Sequence, residues 1–101
     1  MRMLVLFDLP TETPEDRRNY RRFQKGLVQN GFIMMQESVY CKLLLNSTAD
    51  QSVRETVRKL RPPKGIVQMI TITEKQFSKI EYLTGEFHSD IISTDERMIV
   101  L

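Results

Sequence analysis

Residues 3–10 read Met-Leu-Val-Leu-Phe-Asp-Leu-Pro, and this stretch decides the fold. Residues 3–7 are continuously apolar, which is typical of a strand in the middle of a sheet, and Asp8, Leu9 and Pro10 end it. The strand is far shorter than the roughly 20 apolar residues that cross a bilayer, and it is too short for the core of a secretion signal. We therefore expect a cytoplasmic protein with no membrane partner.

A helix is predicted directly after this strand. Thr13 and Asp16, with a proline between them, form an N-terminal signature of a capping hydroxyl, a first-turn proline and an acid. Gly31 is placed to end the helix. Three- and four-residue spacing puts an apolar stripe on the side that would pack on a sheet. This stripe consists of Tyr20, Phe23 and Leu27.

The opposite side of the helix is strongly basic. At about 100° per residue, five cations share an arc of roughly 140°. They are Arg17, Arg18, Arg21, Arg22 and Lys25. One interpretation is a solvated helix face, which is common, and the other is a ridge that binds nucleic-acid phosphates. A two-fold dimer would present the ridge twice, which favours binding.

Two more strands or one bent strand, and then a second helix, are predicted next. Residues 32–45 contain two β-prone runs, and Asn46 or Ser47 caps the helix that follows. Pro-Pro-Lys-Gly at residues 62–65 ends this helix. Its buried stripe is Val53, Val57 and Leu60, and its exposed stripe is Arg54, Arg58 and Arg61.

The remaining segments complete an α+β fold. Residues 66–73 are rich in β-branched side chains and predict a strand, residues 74–78 a connection, and residues 80–83 one more strand. The order β-α-β-β-α-β is that of the ferredoxin-like fold, with both helices on one face of an antiparallel sheet. We assign residues 1–83 to this domain and residues 84–101 to a C-terminal strand extension for dimer or partner docking.

One face of such a sheet has no helix to cover it, although its strands are apolar on both faces. Burial contributes about 25 cal/mol per Å², so covering a few hundred Å² stabilises an association by several kcal/mol. We therefore expect a sheet-to-sheet homodimer with a two-fold axis.

Charge and ligand-type residues limit the possible chemistry. Residues 1–64 carry 12 basic and 7 acidic side chains, whereas residues 65–101 carry 3 and 6. This asymmetry indicates a basic surface for an anionic partner. The chain has one cysteine, Cys41, which excludes an internal disulfide. Together with the one histidine, His88, it is too few for a four-ligand zinc site of cysteine and histidine. We expect His88 at the surface. Any metal would be a hard ion held by carboxylates.

Asp8 is the candidate catalytic residue and metal ligand. If the dimer axis passes near the end of its strand, two Asp8 carboxylates would offer hard ligands for Mg²⁺ or Mn²⁺. The alternative is that Asp8 caps a turn. Ser38 is a candidate for binding phosphate or orienting Asp8, or else a bulge residue. Phe23 and Tyr40 are able to stack on bases, but their apolar patterns favour the core.

The chain resembles CRISPR-associated protein 2 up to about Leu83, most closely the version from systems with a single large RNA-guided effector nuclease. The resemblance is carried by residues 3–10, Arg18, Arg22-Phe23, Leu27, Gly31-Phe32 and residues 36–40. It implies a ferredoxin-like homodimer, Asp8 as a metal ligand, and a metal-dependent endoribonuclease or deoxyribonuclease activity. It also implies a subunit that bridges two dimers of the integrase, CRISPR-associated protein 1, and holds the double-stranded DNA prespacer on basic flanks.

Three functions are therefore weighed. The first is a DNA-bridging scaffold, the second a nuclease acting on DNA or single-stranded RNA, and the third a ferredoxin-like regulatory domain that binds a small metabolite. The many arginines and the lack of a glycine-rich loop count against the third. Residues 97–101 are apolar and β-prone, so we expect them to add as an edge strand to the sister subunit or the integrase, or else to pair within their own subunit.

Overall fold

The structure is a computed structural model, and it describes residues 1–86. Its elements are β1 (Arg2–Asp8), α1 (Pro14–Gln29), β2 (Ile33–Gln36), β3 (Val39–Leu43), α2 (Ser47–Leu60), β4 (Ile66–Ile72) and α3 (Glu74–Ser78). The four strands form one antiparallel sheet in the order β2-β3-β1-β4. The α+β ferredoxin-like order predicted from the sequence is confirmed, with β1 in the interior of the sheet.

Local capping fixes where the two long helices begin. The Thr13 hydroxyl accepts a hydrogen bond from the Asp16 amide at 3.0 Å, and the Asp16 carboxylate accepts one from the Thr13 amide at 3.3 Å. Asn46, rather than Ser47, caps α2, because its side-chain oxygen accepts from the Ala49 amide at 2.8 Å. Helix ends of this kind are set by neighbouring residues, so the sequence predicts them well.

The core lies between the sheet and the two long helices. Met3, Val5 and Phe7 alternate along β1 and are buried on the helix side. The Phe7 ring meets the Phe23 ring of α1 edge to face, with centroids 5.1 Å apart. The Tyr20–Phe23–Leu27 and Val53–Val57–Leu60 stripes pack into this core as predicted.

Helices α1 and α2 approach each other closely at a glycine. A Cβ atom on Gly26 would lie 2.8 Å from Cδ2 of Leu60, which is closer than non-bonded carbons pack. The absence of a side chain at this position therefore lets α2 lie directly against α1.

Two predictions about the region after β4 are wrong. Residues 74–78 form α3 rather than a connection, because Thr73 and Gln76 make a reciprocal capping box. Residues 80–83 are not a strand, and Ile80 and Leu83 are exposed. Extended chain becomes a strand only beside a neighbour that satisfies its backbone groups, and α3 interrupts the chain before it can continue along the sheet.

The C-terminal part of the extension, residues 87–101, lies outside the described residues, as do His88 and the predicted strand at residues 97–101. In the part of the chain that is described, none of the helices combines the length and the apolar character needed to cross a bilayer.

Candidate nucleic-acid interface and strand-end carboxylate

Asp8 is the last residue of β1, and its side chain is exposed. On one side of this strand end, the Phe7 amide donates to the Ser38 carbonyl at 3.0 Å. On the other side, Asp8 pairs with Ile66 of β4. Among residues 1–86 no donor is hydrogen-bonded to the Asp8 carboxylate. The alternative that Asp8 caps a turn is therefore not supported by a hydrogen bond from the described residues. The backbone at Asp8 is fixed while the carboxylate faces solvent.

The described residues of one chain form no complete metal site around Asp8. Within the described residues, no three His, Cys, Asp or Glu side chains cluster as metal ligands would. Mg²⁺ keeps several water ligands and is commonly held by one or two carboxylates. The exposed Asp8 carboxylate is a hard oxygen ligand of the kind that such an ion takes.

Ser38 lies in the tight turn between β2 and β3, at the same end of the sheet as Asp8. The register shift in this hairpin falls between Met34 and Gln36, so the interpretation of Ser38 as a bulge residue is wrong. In the structure, the Ser38 carbonyl oxygen accepts a hydrogen bond from the Phe7 amide. A backbone contact of this kind leaves no mark on the sequence.

The basic side of α1 is fully exposed, as predicted. Arg17 differs from the other four cations, because its guanidinium donates to the carbonyls of Thr11 at 3.0 Å and Glu12 at 3.2 Å. It therefore braces the β1–α1 loop. The other four have no hydrogen bond or ion pair with any described residue. These unpaired cations, which we call the α1 ridge, are Arg18, Arg21, Arg22 and Lys25.

The basic stripe of α2 differs from its prediction at Arg54, which is half-buried rather than exposed. Its guanidinium donates to the Asp50 carboxylate at 2.9 Å and to the Thr71 hydroxyl at 2.9 Å. The Thr71 hydroxyl in turn donates to Asp50. These hydrogen bonds, first from Thr71 and then from Arg54, lower the pKa of the Asp50 carboxyl. Arg54 thus joins α2 to β4.

The other two cations of this stripe are exposed. Arg58 pairs with Glu55 at 2.9 Å across one helical turn, and both side chains are more than half exposed. Arg61 has no ion pair within residues 1–86. The three- and four-residue spacings of Glu55 to Arg58 and Asp50 to Arg54 are the sequence signal that predicts this pairing.

Phe23 and Tyr40 are core residues, with 1% and 3% of their surface exposed. Their rings lie 5.1 and 5.7 Å from that of Phe7, so neither is available to stack on a base. The core interpretation favoured by their apolar patterns is confirmed.

The sheet face away from α1 and α2 is apolar and partly open. Leu4 and Ile70 stand opposite each other in the β1–β4 pair, so their side chains share this face. Ile66 and Ile70 expose 59% and 49% of their surface there, and Leu4 and Leu6 are only half-buried. We refer to these four residues as the open face.

Helix α3 covers the opposite end of the same sheet face. Arg2 donates twice to the Glu74 carboxylate, at 2.7 and 3.1 Å, and its guanidinium lies 4.1 Å from the centre of the Phe77 ring. Cys41 is fully buried beside Arg2, and burial raises the pKa of its thiol. Helix α3 therefore leaves open the part of this sheet face that leads toward Asp8.

Comparison with known proteins agrees with this geometry. Residues 1–80 match the family model described as CRISPR associated protein Cas2. A protein of Treponema denticola named CRISPR-associated endoribonuclease Cas2 is 50% identical over 101 residues, which is all of both chains. A protein of the same name from Streptococcus mutans is 46% identical over 101 residues, covering all of this chain and 93% of the relative.

The fold also matches a solved structure, the crystal structure of Streptococcus pyogenes Cas2 at pH 6.5. The TM-score is 0.63 at 20% sequence identity, and the match covers 83% of this chain and 100% of the other. The family model and the full-length relatives together show that the chain belongs to the CRISPR-associated Cas2 family.

Proposed function

We propose that the chain is a DNA-holding subunit of CRISPR adaptation, which bridges two dimers of the integrase, CRISPR-associated protein 1, and holds a double-stranded prespacer. The observation that carries this proposal is the α1 ridge, whose cations are exposed and free of carboxylate partners within residues 1–86. Cations of this kind release counterions when they bind phosphates, which is the main source of sequence-independent affinity for DNA.

A homodimer would complete this function. The open face presents apolar surface that a second copy would bury, and a two-fold axis is the simplest way for a surface to bind itself. The resulting pair of α1 ridges doubles the number of phosphate contacts. Residues 97–101, at the end of the C-terminal extension, are proposed to strengthen the assembly by adding a strand to the sister subunit or to the integrase.

A second candidate activity is metal-dependent cleavage of RNA or DNA. The observation that favours it is the exposed, unpartnered Asp8 carboxylate, together with the word endoribonuclease in the names of the full-length relatives. Two Asp8 side chains would hold Mg²⁺ or Mn²⁺, which activates water and neutralises phosphate charge when bound. We expect slow turnover, because one carboxylate per subunit supplies few of the groups that phosphodiester hydrolysis uses.

The small-metabolite alternative receives little support from the surface. A groove between α2 and β4 has a volume of about 240 Å³, below the roughly 300–1,000 Å³ of typical ligand pockets. A second depression of about 400 Å³ is lined by Glu55, Arg58, Lys59 and Arg61 and has no apolar wall. The first is smaller than a typical ligand pocket, and the second lacks the apolar lining that small-molecule sites commonly use.

The decisive experiment is spacer acquisition in cells that carry one of two variants. Asp8→Ala removes the carboxylate, whereas Arg18→Glu with Arg22→Glu reverses half of the α1 ridge. We expect acquisition to persist in Asp8→Ala and to be lost in the ridge variant, because holding DNA needs cations and no bond cleavage. Cellular abundance of the protein and co-purification with the integrase serve as controls for folding and assembly.

The reverse result would contradict the proposal. If acquisition is lost in Asp8→Ala and kept in the ridge variant, the subunit contributes cleavage rather than a DNA surface. The nuclease candidate has its own test in purified protein, since cleavage should need Mg²⁺ or Mn²⁺, stop with EDTA and disappear in Asp8→Asn.

A further inference from the structure

Gly65, the residue directly before β4, lies unusually close to the end of β1. Gly65 has a φ of +92°, which favours glycine over every other residue. A Cβ atom at this position would lie 2.6 Å from the carbonyl oxygen of Asp8 and 2.8 Å from Cδ2 of Leu9. The Asp8 carbonyl belongs to the backbone, so it could not move aside without moving the Asp8 peptide.

The neighbouring contacts fix the same strand end from its other sides. The Ser38 carbonyl accepts from the Phe7 amide at 3.0 Å, Ile66 pairs with Asp8, and the Leu9 side chain is buried. Asp8 is thus held on both edges of β1 while its own side chain stays exposed. These contacts fix the position of the Asp8 backbone, and the backbone position limits where the carboxylate can be placed.

The geometry points to Gly65 as a positioning residue for the Asp8 carboxylate. By having no side chain, it lets the start of β4 close against the Asp8 carbonyl and so sets where the carboxylate is presented. This inference rests on the proposed role of Asp8 as a metal ligand. It assigns a function to a residue that makes no contact with metal or nucleic acid itself.

The chain supplies a matched control in Gly85. This glycine also has a positive φ, +76°, but a Cβ atom there would have no atom within 4 Å. Alanine at Gly85 therefore introduces the backbone strain without the close approach. Gly65→Asn is a useful second variant, because asparagine enters positive φ more readily than alanine and so isolates the steric contact.

The test measures Mn²⁺ affinity by electron paramagnetic resonance on the full chain, alongside affinity for duplex DNA and the urea unfolding midpoint. We expect Gly65→Ala and Gly65→Asn to weaken Mn²⁺ binding by about tenfold or more, as removal of an orienting partner does at metal sites. Duplex affinity should stay at the parent value, since the α1 ridge is untouched. Gly85→Ala should retain the parent value in both binding assays, because its new Cβ atom would meet no described atom within 4 Å and because Gly85 lies ahead of the strand expected at residues 97–101.

Asp8→Asn separates the failure of this inference from that of the metal proposal. If Asp8→Asn abolishes Mn²⁺ binding but folded Gly65 variants bind as the parent does, Gly65 has no positioning role and the inference is overturned. If Asp8→Asn leaves Mn²⁺ binding unchanged, Asp8 is not the ligand and both ideas fail. If neither Gly65 variant folds while Gly85→Ala does, Gly65 serves the fold in general, which also overturns the inference.

Discussion

The two long helices carry basic stripes that look alike in sequence and differ in the folded chain. On α1, the four ridge cations are exposed and have no carboxylate partner within residues 1–86. On α2, Arg54 is held by Asp50 and Thr71, and Arg58 is paired with Glu55. A helix can thus use its cations to hold itself to the sheet or keep them available for a polyanion.

The difference comes from the acids around each stripe. The acidic residues of α1, Glu15 and Asp16, lie in its first turn, where they favour the helix N-terminus. Those of α2 include Asp50 and Glu55, each within one turn of an arginine on the same side. The number of arginines on α2 therefore overstates its capacity to bind phosphate. The positions of nearby acidic residues must be considered together with the number of arginines.

Matched charge reversals on α1 and α2 should have the largest effect, which is on duplex affinity. They test directly whether the two basic stripes differ. Arg18→Glu with Arg22→Glu should weaken duplex binding by roughly a hundredfold or more, because several phosphates of the duplex would no longer be neutralised by the α1 ridge. Arg58→Glu with Arg61→Glu makes the same change in net charge but should cost less than about tenfold, since Arg58 is already partly neutralised. Fluorescence anisotropy over a salt series measures both.

The salt dependence separates direct phosphate contacts from long-range charge. The slope of log K against log salt should flatten by about 0.9 for each phosphate that the variant no longer neutralises, and mainly in the α1 variant. Equal reductions of affinity and slope in the two variants would mean that overall charge, and not the α1 ridge, governs binding.

Removal of the Asp50 carboxylate tests the structural role assigned to the α2 stripe. Asp50→Ala leaves the half-buried Arg54 guanidinium and the Thr71 hydroxyl without their shared acceptor. The free energy of unfolding should fall by about 1–3 kcal/mol. Urea unfolding provides the measurement, and Glu55→Ala is the matched control, with an expected change of less than about 0.5 kcal/mol. Similar small changes in both variants would refute the bracing role.

Acid should weaken the contacts that the Asp50 and Glu74 carboxylates make. Hydrogen bonds from Thr71 and Arg54 lower the pKa of Asp50, and hydrogen bonds from Arg2 lower the pKa of Glu74. Carboxyls with a lowered folded pKa stabilise the fold above their unfolded pKa of about 4, and that contribution disappears as the pH falls through the folded pKa. The unfolding free energy should therefore decline below about pH 4.

The matching variant for this prediction is Asp50→Asn, measured by thermal or urea unfolding between about pH 2 and pH 6. It should be less stable than the parent at the upper end of this range, and the gap should narrow toward the lower end as the parent carboxyl is protonated. A gap that stays constant over the range would mean that the Asp50 charge does not contribute to stability.

The smallest effect is expected from freeing Arg58. Glu55→Gln removes the partner charge of an exposed pair, so stability should change by less than about 0.5 kcal/mol. Duplex affinity should rise by no more than about threefold, because one more cation becomes available. A large increase would show that α2 binds DNA directly, and that pairing with Glu55 restrains it.

Much of the fold could be predicted because its signals are local. The continuous apolar run of β1, the caps at Thr13 and Asn46, and the helix-ending prolines at residues 62–63 act within a few residues. Hydrophobic spacing of three and four residues likewise indicates which side of each long helix faces the sheet. The α1 ridge follows from the same spacing, so both its position and its exposure could be predicted from the sequence.

The error at α3 concerns a local signal, the capping box of Thr73 and Gln76, whereas the other errors lie where the outcome depends on distant parts of the chain. The sequence predicts an exposed Arg54, but the residue is half-buried in the fold. Its partner Thr71 lies 17 residues further along the chain and meets it only across the α2–β4 contact, which helical spacing does not reveal. Residues 80–83 have the composition of a strand, but a strand exists only beside a neighbour, and α3 interrupts the chain first.

The sequence by itself determined the order of elements from β1 to β4, the apolar side of each long helix and the cations of the α1 ridge, because these depend on residue type and spacing. Only the tertiary structure decided which arginines are neutralised, which part of the sheet stays open, and how Gly65 and Ser38 enclose the backbone of Asp8. Those features arise from atoms brought together from β1, the β2–β3 turn and the start of β4. Contacts made through backbone atoms, or allowed by the lack of a side chain, depend on the three-dimensional path of the chain. Residue types and their spacing do not predict such contacts.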